Sequence, residues 1–415
     1  MSRIAALLMA LSALSAGAAC NAVLGIEEGI LRGGAGGDGG SGAATSSGGH
    51  DGGGGMGTGA GGGLGGGGAA STTCPPWAPD EPCDPSLMDD ADNCCHLGRS
   101  CQGGTCMDGQ CTPVLLDGDA ATDTRGIDVT GDRVYWSTGS NQLIKSRKTD
   151  ASLYLEVAFD SNYTPSLATD ATHAYWTEWQ AGNVMRAPLD GSGPEELVGS
   201  VNATPNWGRI DVSPTHVVWA TRNTDVGVWA APIAPITGEV FAVASHSTLG
   251  LSLQTVSAPL GVVVDATHLY FSDESDGVIL RRSLSSIAGE DDVMADVVAS
   301  NQSGAGDLAV DETHVYWVTG SEIHRRLKDG SGGVEVLAAS QDDPNALVVD
   351  DHYVTWVNHA TATTGTVHRT KKDGGPLEVL AENQKAPWEI AQDCTTIYWT
   401  NHNDFMTGEV WKVAK

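Results

Sequence analysis

Cysteine is the residue type whose spacing in this chain points most directly to chemistry. Seven of the nine cysteines fall between residues 74 and 111: Cys74, Cys83, Cys94, Cys95, Cys101, Cys106 and Cys111. Thiols at that density serve either a metal or disulfides. A zinc centre needs cysteines and histidines at short fixed spacings. This stretch has no CxxC pair, His96 is its one histidine, and adjacent Cys94 and Cys95 suit a single tetrahedral centre poorly. The acids between Asp80 and Asp92 lack the calcium-loop order with its closing glutamate, so they read as a solvated loop. With few large apolar side chains, a segment this short needs covalent staples, and the expectation is a disulfide module over 74–111 with its connectivity open. No GxSxG, HExxH or Gly-rich phosphate loop stands elsewhere, so no catalytic residue and no cofactor is assigned.

The other candidates are positioned by a repeat. An apolar strand, an Asp-x-Thr-His-like turn and an aromatic pair recur seven times, anchored on Trp136, Trp176, Trp219, Phe271, Trp317, Trp356 and Trp399. The anchors are 39 to 52 residues apart, the length of one four-stranded propeller blade. Within a copy, Leu308-Ala309-Val310 gives a first strand and Val315-Tyr316-Trp317 a second. Val184-Met185-Arg186 or Val367-His368-Arg369 gives a third. Asp190-Gly191, Asp329-Gly330 and Asp373-Gly374 supply hairpin turns into a fourth. This predicts an all-β seven-bladed propeller over 112–415, with six blades as the alternative.

Tyr175-Trp176-Thr177-Glu178 and Tyr270-Phe271-Ser272-Asp273, with Tyr135-Trp136-Ser137 and Tyr398-Trp399-Thr400-Asn401 close behind, resemble the YWTD repeats of low-density-lipoprotein-receptor class B propellers and related bacterial propellers. Val218-Trp219 and Thr355-Trp356 depart at the tyrosine. The resemblance implies a recognition scaffold more than an enzyme. In the cysteine-rich segment, Cys74, Cys83, Cys94-Cys95, Cys101 and Cys106 resemble the cystine-knot pattern of small proteins. The last repeat stops at Lys415 after three strands, and Pro113-Val114-Leu115-Leu116 is expected to supply its fourth, closing the ring. Cys394, the one cysteine inside the repeats, is a candidate for bonding Cys111 across that closure.

Residues that recur at one equivalent position from blade to blade are expected to serve the scaffold. The anchor aromatics read as packing between blades. His173, His216, His268 and His314 read as turn residues. Arg186, Arg281, Arg325, Arg369 and Lys412 read as pairing with acids or lying between blades. Residues that break the symmetry are the site candidates. Loops entering the first strand and joining the second to the third should share one face of the channel. They carry Arg125, Trp179, Trp207, Arg209, Asp273, Glu274, Asp307, Asn345, His359, Trp388, Glu389, His402 and Asp404. Exposed tryptophan beside charge suits a glycan or protein ligand. The alternative is a propeller lyase or hydrolase with a metal held by Glu389, His359 and His402.

The remaining features concern address. Arg3, an apolar run over 4–19 and then Cys20 form an export signal over 1–19, and 16 residues are too few to span a bilayer. Gly17-Ala18-Ala19-Cys20 resembles a lipobox, which implies acylation of Cys20; cleavage by the ordinary signal peptidase after Ala18 is the competing reading. Asn21 in place of aspartate favours the outer membrane or cell surface. Residues 20–73 hold a run of Gly, Ala, Ser and Thr with little apolar area, and read as a disordered tether. With 22 Lys+Arg against 52 Asp+Glu, the net charge of -30 excludes nucleic acid as a partner. Membrane contact is expected through the N-terminal lipid alone, and the folded part is expected to be a monomer.

Overall fold

The computed structural model describes residues 82–415 except 120–122, 140–142, 160–163, 179–181, 199–207, 223–225, 237, 246–255, 288–293, 361–362 and 403–406. Cys20, Cys74, Trp179, Trp207 and Asp404, with the signal and tether, lie outside the described residues. All described residues belong to one unit, Thr58–Lys415.

Seven four-stranded antiparallel sheets follow one another along the chain. We number them blades 1 to 7, over 124–159, 167–198, 210–245, 259–299, 308–338, 344–384 and 387–414. Each of the first six is built from four consecutive strands. Blade 7 has three of its own, Pro387–Gln392, Thr396–Asn401 and Gly408–Ala414. Its fourth is Val114–Asp119, paired antiparallel from Val114↔Lys412 to Asp119↔Gly408. The ring is therefore closed by backbone hydrogen bonds between the two ends of the repeat region, as the strand count in the last repeat predicts. Helix among the described residues is limited to two 3₁₀ turns, Pro85–Leu87 and Leu284–Ser286.

The repeat motif has a physical reading at each position. The seven anchor aromatics are 0 % exposed. In blades 5 to 7 the buried indole N–H donates to a glutamine 15 residues earlier: Trp317 to Gln302, Trp356 to Gln341 and Trp399 to Gln384. The turn aspartate accepts from the backbone, as Asp170 Oδ1 does from the N–H groups of Thr172 and His173, and takes the tyrosine hydroxyl on Oδ2. Thr172 Oγ1 meets His173 Nδ1, so the recurring histidine belongs to the turn. Asp311, Thr313, His314 and Tyr316 repeat the arrangement in blade 5. At the centre, inner strands approach so closely that a Cβ on Gly126 would lie 2.6 Å from Leu167 N, and one on Gly261 2.5 Å from Gly306 O.

The third-strand cations tie blades together. Arg186, Arg281, Arg325 and Arg369 pair with Glu195, Asp296, Glu335 and Glu378 of their own blades. Arg186 also donates to Ile233 O, Arg281 to Lys328 O and Arg325 to Lys372 O, each just past the third strand of the next blade. Lys412 Nζ does the same to Thr149 O, from blade 7 to blade 1. At the joint of blades 6 and 7 the matching carbonyl is Lys415 O. It accepts at 2.7 Å from Arg99 Nε, which belongs to the cysteine-rich segment.

That segment is stapled by Cys83–Cys95, Cys94–Cys106 and Cys101–Cys111. It ends in a hairpin, Cys106–Met107 with Gln110–Cys111, turning through Asp108-Gly109 at positive φ. Cys94, Cys101, Cys106 and Cys111 share a cluster with Val348 and Val367 of blade 6 and Ile397 and Trp399 of blade 7. The expected Cys111–Cys394 bond is overturned. The hairpin sets Cys111 opposite Cys106 and inside the segment, where Cys101 takes it. Cys394 is itself disulfide-bonded.

The substitution Arg99→Ala removes a cationic donor from a half-buried carbonyl and should lower stability by about 1.5–3 kcal/mol. Deleting residues 112–117 should lower the urea midpoint much further. An unchanged midpoint in the deletion would contradict closure by the N-terminal strand.

Candidate functional site

The first strand of every blade enters from one end of the channel, and its anchor residue fixes a common register. The residues just before the anchors Ile127, Leu167, Ile210, Val262, Leu308, Leu347 and Ile390 are, in blade order, Gly126, Ser166, Arg209, Gly261, Asp307, Ala346 and Glu389. Six of these are close to the size a crowded axis allows or carry acid. The one long cation is Arg209, which reaches across. From blade 3 it places Nε 3.4 Å from Asp307 Oδ1 of blade 5, ion-pairs through Nη1 with Glu389 of blade 7, and donates from Nη2 to Asn345 O of blade 6 at 3.2 Å.

One residue further out the ring reads Arg125, Pro165, Gly208, Leu260, Gly306, Asn345 and Trp388. Trp388 is the large member and is partly exposed. The Arg125 guanidinium lies 5.3 Å from its ring centre. His359 meets it edge-on and His402 at a tilt, both with centroids 5.4 Å away. Asn345 Nδ2 donates to Trp388 O at 2.5 Å, joining blades 6 and 7 at the rim. Behind the ring, Asp123 accepts from Arg125 Nε at 3.0 Å and pairs with His402 Nε2 at 3.2 Å.

Of these residues Arg209, Asn345, Trp388 and Glu389 line a pocket of about 230 Å³ at the channel mouth, together with Pro165, Ser166 and Leu260. Arg222 and Glu274, from second-to-third-strand loops of blades 3 and 4, form an ion pair on its wall. The two kinds of loop do therefore meet on one face. Burial pushes the Asp307 carboxyl above the usual carboxylate range, against the pull of Arg209. Burial holds His402 below the usual imidazole range, with Asp123 pulling the other way, and the hydrogen bond with His359 keeps Asp343 below the carboxylate norm.

Arg209, Asn345, Trp388 and Glu389 thus line one site, while Asp307 pairs with Arg209, and Arg125, His359 and His402 pack around Trp388. Asp273 does not join them. It is 0 % exposed, and its carboxylate accepts from the backbone N–H groups of Ser257, Ala258 and Asp276, which makes it a loop clamp. Nor do Glu389, His359 and His402 form a joint ligand set, since they pair separately with Arg209, Asp343 and Asp123. Among the described residues, the groups able to converge on one ion are Cys83, Cys95 and His96, and Cys94, Cys101 and Cys106, whose cysteines are in disulfides. Ser166, Leu260 and Arg222 escaped the sequence reading. The register positions one and two before each first-strand anchor identify Ser166 and Leu260 respectively, because small or apolar residues there still line the mouth.

No family model matches the chain, and no curated protein matches it. Solved structures do. A catalytically inactive virginiamycin B lyase from Staphylococcus aureus with quinupristin is 15 % identical, with a TM-score of 0.55 over 73 % of this chain and 98 % of that one. The computationally designed Ika8 protein is 12 % identical, with a TM-score of 0.49 over 72 % and 98 %. A chain of a nidogen/laminin complex is 14 % identical, with a TM-score of 0.40 over 50 % and 76 %. At these identities the likeness to the lyase is one of fold.

His216, His314, His368 and His402 are all held below 6.5, with burial as the largest cause. Unfolding raises their proton affinity, so the stability they protect is complete above that value and is lost as pH falls through their depressed folded values. The urea midpoint should drop between about pH 7 and about pH 5. A flat or rising midpoint over that window would contradict neutral burial of these rings.

Proposed function

We propose that the protein is an exported recognition module, tethered to the cell envelope through an acylated Cys20, whose channel mouth binds a protein or glycan ligand. The observation that carries this reading is the break in sevenfold symmetry at the mouth. The scaffold positions repeat chemically from blade to blade. The two rings at the mouth instead hold one spanning arginine, two acids on separate blades and one partly exposed indole. A fold needs no such group at a rim, and a partly exposed tryptophan among fixed polar groups is the composition of a contact hot spot. The disulfides are those of an exported or extracellular protein. No helix among the described residues is long and apolar enough to cross a membrane. The net charge of -30 directs the module away from anionic polymers.

The lyase from Staphylococcus aureus shows that this fold also hosts enzymes. Fold alone does not transfer chemistry, and the separate partners of Glu389, His359 and His402 argue for positioning roles here. On arrays of glycans and of exported proteins, binding by the full chain should weaken at least about tenfold, or about 1.4 kcal/mol, in Trp388→Ala and in Glu389→Gln. It should be unchanged in Glu196→Gln, on the exposed outer strand of blade 2. Equal binding by all four proteins would overturn the mouth as the site. Cys20→Ser should shift the protein from the detergent to the aqueous phase on phase separation, and no shift would refute the anchor.

A further inference from the structure

Resting on the mouth as the recognition site, we propose that its occupant is one uncharged sugar ring, the terminal residue of a neutral glycan. The charge balance of the pocket selects against ions. The four ionised side chains that line it are already paired, Arg209 with Glu389 and Arg222 with Glu274, and Asp307 adds a second acid to Arg209. A charged occupant would have to break one of these pairs or be desolvated opposite a neutral wall, and either is costly. Paired groups still hydrogen-bond. A guanidinium has five N–H donors and a carboxylate about four acceptor positions, so part of each remains for an occupant. Neighbouring ring hydroxyls, each both donor and acceptor, match such a wall.

The shape is equally selective. A volume of about 230 Å³ lies below the roughly 300–1,000 Å³ of pockets that enclose a whole drug-sized ligand. It admits one protruding ring of something larger. Trp388 lines the pocket and is partly exposed, so its indole supplies apolar surface for the C–H groups of a pyranose, and the ring is held by His359, His402 and Arg125. The carbonyl of the same residue is fixed by Asn345. A peptide side chain of similar size brings one or two polar atoms and would strand the remaining lining donors and acceptors. The net charge of -30 further disfavours acidic sugars.

Saturation-transfer NMR on the full chain tests this with methyl glycosides of neutral hexoses, N-acetylneuraminic acid and arginine amide as probes. The expected result is transfer to the C–H face of at least one neutral glycoside and to neither charged probe. Affinity should fall at least about tenfold in Trp388→Ala and be largely retained in Trp388→Phe, which keeps an aromatic wall if the alanine variant misfolds. No transfer to any neutral glycoside overturns the proposal. Trp388-dependent transfer to arginine amide alone overturns the sugar but keeps the mouth as the site. Glycoside binding that survives in Trp388→Ala, Trp388→Phe and Arg209→Ala alike removes both.

Discussion

The structure depends on one constraint: seven four-stranded sheets must stand radially around an axis without exposing the faces between them. A fully buried aromatic ring in each blade meets that demand, and the blades cannot rotate or slide without losing that contact. The price in polar burial is met locally, by glutamine side chains that accept the indole N–H in blades 5 to 7 and by aspartates that satisfy the turn backbone. Arg186, Arg281, Arg325 and Lys412 of the third strands then act between blades, each reaching the carbonyl just past its neighbour's third strand.

A ring also has a seam. Here the seam is made by Val114–Asp119 pairing into blade 7, so the segment that precedes it is held against blades 6 and 7. The disulfide-rich segment is consequently part of the ring's mechanics. Its Arg99 occupies the carbonyl that third-strand cations reach at other joints, and its sulfurs extend the hydrophobic cluster beneath Trp399. This ties a segment with too little apolar surface for its own core to the core of a larger neighbour.

The architecture was legible in the sequence because the repeat is a direct image of blade chemistry. The buried aromatic recurs in all seven blades and the Asp-x-Thr-His turn and Asp-Gly hairpin in several, so their spacing carries the blade count, the strand order and the missing fourth strand. The mouth was legible in part. Arg125, Arg209, Asp307, Asn345, Trp388 and Glu389 were visible as departures from the repeat, while Ser166 and Leu260 were hidden because small and apolar residues look like scaffold. Asp273 was misread for a physical reason: a carboxylate in a loop gives no sign in sequence of whether backbone N–H groups surround it. Disulfide pairing was illegible, since it follows from a two-residue hairpin that turns Cys111 inward.

The frame repeats from blade to blade while the rim does not, and Arg209 links blade 3 to residues of blades 5, 6 and 7 there. A double-mutant cycle on Arg209→Ala and Glu389→Ala, read from urea unfolding of the full chain, measures that directly. The expected coupling is about 0.5–3 kcal/mol, as for groups in one salt-bridge network. Additive effects, within about 0.5 kcal/mol, would show that Arg209 does not span the channel and would contradict that link.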